Sequence, residues 1–519
     1  LFFMTSSPPA PKLELTERAK WQAFAVAVGV AALTILDLSK VNVGLPSIEK
    51  ALGAGPTELQ LIVAGYALAF GLALVPAGRL GDIYSRKLLF SIGLTSFTLA
   101  SLACALAPSV ELLLVARILQ GVAAGIQMPQ VLGLVQQLFQ GPARGRAFGI
   151  FGATIGVATA FGPTLGGLLI AIGGESDGWR LLFWMNIPLG LIALFFAIRL
   201  LPKRPQGAVA KTQLDLVGIL LLGISVFSLM VPFVFTTGGP DDDPRRWFWL
   251  IGFAVGTVLF LLWERDYGRR GKSPVVHFSL FRIASYRNGI LVATAYFAAI
   301  PGTFLLTTLY LQQGLGALPV FAGMVSIPFA LTSAASSLIG GRIVERYGRK
   351  LVVIGTATVI VGFVLILLAA ILTPRDQTIW WMAAAMAVAG AGGGLVISPN
   401  QTLTLAEIPV SEGGVAGSLA QVGQRVGTAI GVAAVTSTFF ATLYRDASDT
   451  DKLTAYHEGF RNGILIAISL ITVSLVVGLI DLRARARAQA RASDASPASD
   501  ASPASDASPA SDATTASGS

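Results

Sequence analysis

Fourteen stretches of this chain are each long and apolar enough to cross a bilayer as one helix, and no other feature restricts the fold so tightly. A hydrocarbon core about 30 Å thick needs roughly 20 apolar residues in a helix. Runs of that length fall near 20–45, 58–79, 87–107, 110–135, 145–171, 180–201, 212–235, 246–264, 286–312, 319–341, 350–372, 379–405, 413–442 and 460–482. Of the 519 residues, 54% are hydrophobic and 13% charged, with a mean hydropathy of +0.71. A water-soluble chain of this size could not solvate such a surface. The fold class expected is therefore an all-α integral membrane protein.

The net charge of +9 could suggest a nucleic-acid partner. Its distribution says otherwise, because the basic residues gather in short connections beside apolar runs. With the N-terminus set on the cytoplasmic side, about 26 of the 37 Lys and Arg residues fall on that side, which is the bias that orients membrane proteins. An even number of spans then places both termini in the cytoplasm, and the acidic run Asp241-Asp242-Asp243 outside. The expected location is the cell inner (cytoplasmic) membrane, as a monomer. Cys104 is the single cysteine and lies inside an apolar run, so intrachain disulfides are excluded. His277 and His457 have no second ligand at metal spacing, and no cofactor is expected.

A charged stretch, Gly78-Arg79-Leu80-Gly81-Asp82-Ile83-Tyr84-Ser85-Arg86-Lys87, returns as Gly341-Arg342-Ile343-Val344-Glu345-Arg346-Tyr347-Gly348-Arg349-Lys350. Gly-Arg, the acid, the Tyr and the closing Arg-Lys keep one register, which marks an internal duplication. Each copy reads as a ten-residue loop after the second span of a six-span block. The expected organisation is a cytoplasmic tail at 1–19, a six-helix bundle at 20–202, two extra helices with linkers at 203–285, a second six-helix bundle at 286–483, and a disordered tail at 484–519, where Ser-Asp-Ala-Ser-Pro-Ala repeats.

With these features in place, the chain resembles the major facilitator superfamily, and within it the fourteen-span drug:proton antiporter branch. The Gly78–Lys87 stretch is similar to that superfamily's signature between spans 2 and 3. Leu36-Asp37-Leu38-Ser39-Lys40-Val41-Asn42-Val43-Gly44-Leu45-Pro46 resembles the branch's first-span motif, which carries a hydrophobic residue where this chain has Lys40. Ala116-Arg117-Ile118-Leu119-Gln120-Gly121 resembles the fourth-span motif. Gly156 through Gly162-Pro163-Thr164-Leu165-Gly166-Gly167 resembles the fifth-span antiporter motif.

Ionisable residues inside spans are costly and usually functional. At 1.5 Å per residue, Asp37 lies about 12 Å and Arg117 about 10 Å from the outer ends of their runs, so a pair between them is allowed. Protonation of Asp37, with Arg117 adjusting its proton affinity, is the coupling expected; a static ion pair that fixes helix packing is the alternative. For Lys40 two readings stand. It tunes Asp37 or meets an anionic substrate group, or it snorkels to the interface. Asn42, Gln120, Gln421, Gln424 and Arg425 are candidate substrate contacts, the last three sharing one helix face at mid-membrane. The branch carries Arg-Gln where this chain has Gln424-Arg425, so that role does not transfer directly.

Gly78, Arg79, Gly81, Asp82, Arg86 and Lys87, with Arg342, Glu345 and Arg349 from the second copy, are candidates for a cytoplasmic gate; the plain alternative is that the cations only set topology. Gly156, Gly162, Pro163, Gly166 and Gly167 are expected to form a bendable seal between the halves, or simply to pack helices. Two suggestive stretches carry no function. Gly271-Lys272-Ser273 lacks the rest of a phosphate loop, and Asn400-Gln401-Thr402 lies inside a span where no glycosylating enzyme reaches.

The function expected is secondary active export of small amphipathic compounds by alternating access, with inward proton flow as the energy source. The partners are then a small-molecule substrate, protons and the bilayer. The intramembrane charges, Asp37 against Lys40, Arg117 and Arg425, suggest a neutral, zwitterionic or anionic substrate. An exporter of lipids or cell-envelope precursors, an uncoupled facilitator and a non-transporting receptor are the alternatives. An enzyme is not expected, since no nucleophile–base pair or metal cluster is visible.

Overall fold

A computed structural model of the chain describes residues 15–203, 214–236, 242–446 and 452–494. The ends of both expected tails, the connection at 204–213 and Asp241 lie outside these described residues. Among them are fourteen helices long and apolar enough to cross a membrane. In chain order these are α1 (Glu17–Leu52), α2 (Glu58–Ile83), α3 (Arg86–Ala105), α4 (Val110–Leu138), α5 (Gly141–Gly174), α6 (Ser176–Leu200), α7 (Leu216–Val234), α8 (Pro244–Arg269), α9 (Ala284–Gly314), α10 (Phe321–Tyr347), α11 (Arg349–Leu372), α12 (Arg375–Thr404), α13 (Val410–Arg445) and α14 (Leu453–Ala484).

The packing is that of two like halves. In the first, α1 lies against α5 and α6, α2 against α4, and α3 against α4 and α6. In the second, α9 lies against α13 and α14, α10 against α12, and α11 against α12 and α14. The halves meet along two seams, α2 with α13 and α5 with α10, which exchange when the halves are exchanged. The duplication seen in the charged stretch is thus a duplication of the whole helix arrangement. Each half has its own apolar centre, with Phe90, Phe97 and Phe148 in one and Phe363, Phe439 and Phe460 in the other. Leu220, Ile251, Leu372 and Trp380 lie exposed on the outside. A bilayer covers such surfaces, and in water they would aggregate.

Neither copy of the charged stretch is a ten-residue loop. Helix α2 continues through Asp82 to Ile83, and α3 begins at Arg86, where Ser85 Oγ accepts the Leu88 N–H at 3.3 Å. In the second copy helix persists to Tyr347, and Gly348 alone breaks it, at a φ of 51° that disfavours side chains. The first copy stays helical because it is packed, as described below; in the second, Arg342, Glu345, Arg346 and Tyr347 are exposed although helix persists through them. Two boundaries also differ from expectation. Helix α1 reaches Leu52, which sets Asp37 about 22 Å from that end at 1.5 Å per residue, not about 12 Å. At the C-terminus, helix continues to Asp494, through an Ala- and Arg-rich run of high helix propensity, so the disordered tail expected from 484 is corrected up to that residue.

The extra helices α7 and α8 pack on each other, and α7 docks over the α2–α13 seam. Asp215 caps α7, accepting the Gly218 N–H at 2.9 Å and the Trp263 indole N–H at 3.0 Å. The buried Glu264 accepts the N–H groups of Val275 and Val276, each at 3.2 Å, and so ties α8 to the linker that follows it. Glu264→Ala strands those two N–H groups, at about 1–3 kcal/mol each. The expected outcome is a clearly lower unfolding temperature in detergent, with Glu264→Gln losing less.

Candidate functional site

The first half holds three charges with no exposure to its exterior. Asp37 is on α1, Lys40 one turn later, and Arg117 on α4; all are 0–1% exposed. Arg117 Nη1 reaches Asp37 Oδ2 at 2.7 Å. Lys40 Nζ lies 3.4 Å from Asp37 Oδ1, and the Asn186 amide on α6 donates to the same oxygen at 2.7 Å. Asn186 Oδ1 in turn accepts from Lys40 Nζ at 2.6 Å. Gln120 accepts from Arg117 at 2.7 Å and donates to Ser101 on α3 at 2.8 Å. Groups from three helices therefore converge on one carboxylate, a fourth helix braces them through Ser101, and each donor has a second partner that fixes its direction. The formal sum is one negative and two positive charges. Breaking such a buried pair by removing one partner strands a charge, typically at 3–5 kcal/mol.

This arrangement decides between the two readings of Lys40. It does not snorkel; its ammonium turns into the bundle. The small residues of α5 permit that. A Cβ at Gly166 would lie 2.9 Å from the Lys40 carbonyl oxygen, and one at Gly162 would meet Ser39. Helix α5 therefore presses on α1, and Pro163 lies within that stretch. Of the glycines in this motif, Gly156 faces the second half near Ser333, Gly162 and Gly166 face α1, and a Cβ at Gly167 would meet no atom within 4 Å. The closest glycine contacts of α5 with α10 come earlier, at Gly145, Gly149 and Gly152. Gln120 is committed to the charge cluster. Asn42 is exposed on α1.

The two seams close at the end that carries the charged stretches. A Cβ at Gly78 would lie 2.6 Å from the Gly414 carbonyl oxygen on α13, and one at Gly341 would lie 2.5 Å from the Gly145 carbonyl oxygen on α5. The first glycine of each copy is thus the contact between halves. Asp82 adds a charge to its seam. It accepts the Gly414 and Val415 N–H groups at 3.1 and 3.0 Å, and pairs with Arg86 at 2.8 Å. A carboxylate on the first turn of a helix satisfies orphan donors and the helix dipole, together worth about 1–2 kcal/mol. Arg86 also donates to the Val410 carbonyl at 2.6 Å and to the Gly133 carbonyl at 2.5 Å.

Apart from Glu345, which lies across the α5–α10 seam, the other gate candidates do not bridge the bundles in this way. Gly81 abuts Gln130 of its own half. Arg79 bonds Ser273 in the linker after α8, because α7 and α8 cover that flank of α2. Lys87 caps the end of α6, donating to the carbonyls of Ile198 and Leu201; last-turn carbonyls lack partners within their helix. Glu345 sits beside Gly141 at the start of α5, and Arg342 is exposed. Arg349 joins helices of the second half. It is 3% exposed and pairs with Asp481 of α14 at 2.7 Å, while also bonding Asn400 of α12 and the Ser285 carbonyl of α9. A buried cation needs its carboxylate within reach, and Asp481 supplies it inside the second half.

On α13, Gln421 is buried while Gln424 and Arg425 are partly so. The Arg425 guanidinium lies 4.4 Å over the Phe70 ring of α2, across the seam. Among the described residues no carboxylate pairs with it. Sequence reasoning missed Asn186, Ser101 and Asp481. The available signal was a polar side chain within, or at the edge of, an apolar run, and it is weak for a single amide or hydroxyl.

The family model described as Major Facilitator Superfamily matches residues 27–432 and 289–499. The chain is 33% identical over 436 residues to the probable actinorhodin transporter of Streptomyces coelicolor, covering 83% of this chain and 74% of that protein. It is 32% identical over 477 residues to the puromycin resistance protein pur8 of Streptomyces alboniger, covering 90% and 92%. In fold it is similar to the proton:xylose symporter XylE, with a TM-score of 0.60 at 16% identity over 90% of this chain and 96% of that one. Duplicated six-helix halves, a matching family model and relatives along most of their length agree: this chain is a multi-pass membrane protein of the major facilitator superfamily, a transporter and not an enzyme.

Proposed function

We propose that the chain is a proton-coupled exporter of small amphipathic compounds, working by alternating access as an antiporter. The observation that carries this reading is the buried Asp37–Arg117 pair on the half that also carries the closed α2–α13 seam. A proton on Asp37 leaves Arg117 and Lys40 as two buried cations without a counter-charge, a state that the surrounding helices can relieve only by moving. The named activities of the relatives, actinorhodin transport and puromycin resistance, support export of drug-like molecules. The bias of basic residues assigns the closed, latch-bearing end to the cytoplasm, in the inner membrane, with both termini on that side. The state described is then closed to the cytoplasm. The proton gradient is the energy source, no cofactor takes part, and a monomer suffices.

The substrate is neutral, zwitterionic or anionic, because cations outnumber carboxylates at the centre. Asn42, Gln421, Gln424 and Arg425 are its proposed contacts. A groove of about 650 Å³ on the outer face of α1, α5 and α6, lined by Val26, Leu36, Phe161, Ile192 and Phe196, favours a second reading. In that reading a lipid-like substrate enters from the bilayer; the groove lies away from α7 and α8.

Proteoliposomes under an imposed pH gradient, screened with cationic, neutral, anionic and lipid-like compounds, test both. Wild type is expected to expel neutral or anionic compounds, and Asp37→Asn to lose at least about tenfold of the gradient-driven rate, as removal of a buried charge partner implies. Flux that ignores a collapsed gradient would make the chain a facilitator, ligand binding without flux a receptor, and expulsion of dications alone would overturn the charge argument. A separate prediction concerns the latch. Asp82→Asn weakens the cap on α13, so a cysteine placed at Val410 is expected to react faster with a membrane-impermeant thiol reagent applied from the cytoplasmic side. An unchanged rate would remove Asp82 from the gate.

A further inference from the structure

The charge cluster and the seam are joined by two aromatic residues whose roles the transport reading leaves open. Tyr66 and Phe70 are one turn apart on α2, both fully buried, with ring centroids 6.1 Å apart in an edge-to-face arrangement. Arg117, while paired with Asp37, also lies 4.1 Å from the Tyr66 ring centroid. Arg425 lies 4.4 Å from that of Phe70. One cation from each half therefore rests on one member of a touching ring pair. The hydroxyl of Tyr66 is buried with no hydrogen-bond partner among the described residues. Burial without a partner is costly for a hydroxyl, so packing alone would favour Phe here. The ring itself offers Arg117 an electron-rich face, which attracts a cation.

We propose that Tyr66 and Phe70 are positioning residues that transmit the protonation state of Asp37 to the α2–α13 seam. This rests on the proton-coupled reading above. Lys40 from α1, Arg117 from α4 and Asn186 from α6 meet the carboxyl directly, and Ser101 and Cys104 from α3 and Tyr66 from α2 stand behind them, against Asn186, Gln120 and Arg117. Arg425 stands beyond them on α13. With Asp37 ionised the cluster sums to +1, and Arg117 is neutralised by its partner. When Asp37 takes up a proton the sum becomes +2. Arg117 and Arg425 then stand on adjoining rings as two cations without a carboxylate, in surroundings that screen charge far less than water does. The repulsion acts across the seam and is relieved when α13 leaves α2. That same movement withdraws Gly414 and Val415 from Asp82, opening the latched end. Protonation from the far side thus favours the state that opens at the latch, which is the order an antiporter requires. Phe70 matters because its ring is what holds Arg425 within range.

The test uses the full chain in lipid nanodiscs, with Cys104 replaced by Ser and spin labels at Tyr84→Cys and Val410→Cys, on the two sides of the latch. The distance between labels is followed against pH. In this background the longer distance is expected to grow as pH falls, and Asp37→Asn to show it at every pH. Phe70→Leu is expected to lose the pH response, and Phe70→Tyr, which keeps the ring, to retain it. If Asp37→Asn still responds to pH as its parent does, the proton-coupled reading fails and takes the proposal with it. If Asp37→Asn abolishes the response while Phe70→Leu keeps it, only the relay through the rings is wrong. Loss of the response in both Phe70→Leu and Phe70→Tyr would reduce Phe70 to a packing residue and overturn the proposal.

Discussion

The structure depends on one carboxylate held between two cations inside a membrane bundle. Each charge taken out of water carries a penalty of several kcal/mol, and only close pairing with further hydrogen bonds offsets it. Asp37 has that pairing because four helices of the first half point a donor or a brace at one place: α1 through Lys40, α4 through Arg117 and Gln120, α6 through Asn186, and α3 through Ser101. The small residues of α5 allow α1 to turn Lys40 inward rather than toward the interface. A neutral Asp37 would leave Lys40 and Arg117 without their counter-charge, which is the basis of the coupling proposed above.

The two halves share a backbone plan but differ in their charges. In the first, the buried ions sit well inside the helices, beside the seam. In the second, the corresponding investment in charge is Arg349 with Asp481, at the latch end and wholly within its own bundle. Arg86 and Arg349 hold the same register in the duplicated stretch, yet Arg86 reaches the opposite half through Val410 while Arg349 does not leave its own. The seams are correspondingly unequal. One is capped by Asp82 and overlaid by α7; the other combines close glycine contacts with a hydrogen bond from Ser337 to the Gly149 carbonyl and the carboxylate of Glu345 beside Gly141.

The number, order and pairing logic of the helices were legible because bilayer thickness sets the length of an apolar run, and a repeated charged stretch reveals the duplication. Helix ends were less legible. They are set by local caps such as Gly53 after α1 and Gly348 before α11, which lie outside the apolar pattern. At the candidate site, Asp37 and Arg117 stood out because charge in a span is rare. Asn186 did not, since one amide in an apolar run breaks no periodicity. The partner of Arg349 was not readable because it depends on which helices pack together. Tyr66 and Phe70 look like ordinary core aromatics until the cations on their faces are located.

All of this turns on whether the Asp37 carboxyl gains and loses a proton inside the folded protein. Infrared difference spectroscopy of the full chain in lipid, recorded across a pH titration, reads that event directly. The account predicts that a band from a protonated carboxyl appears on acidification in wild type and is missing in Asp37→Asn. Identical difference spectra for the two proteins would contradict it, leaving the ion pair as a fixed brace.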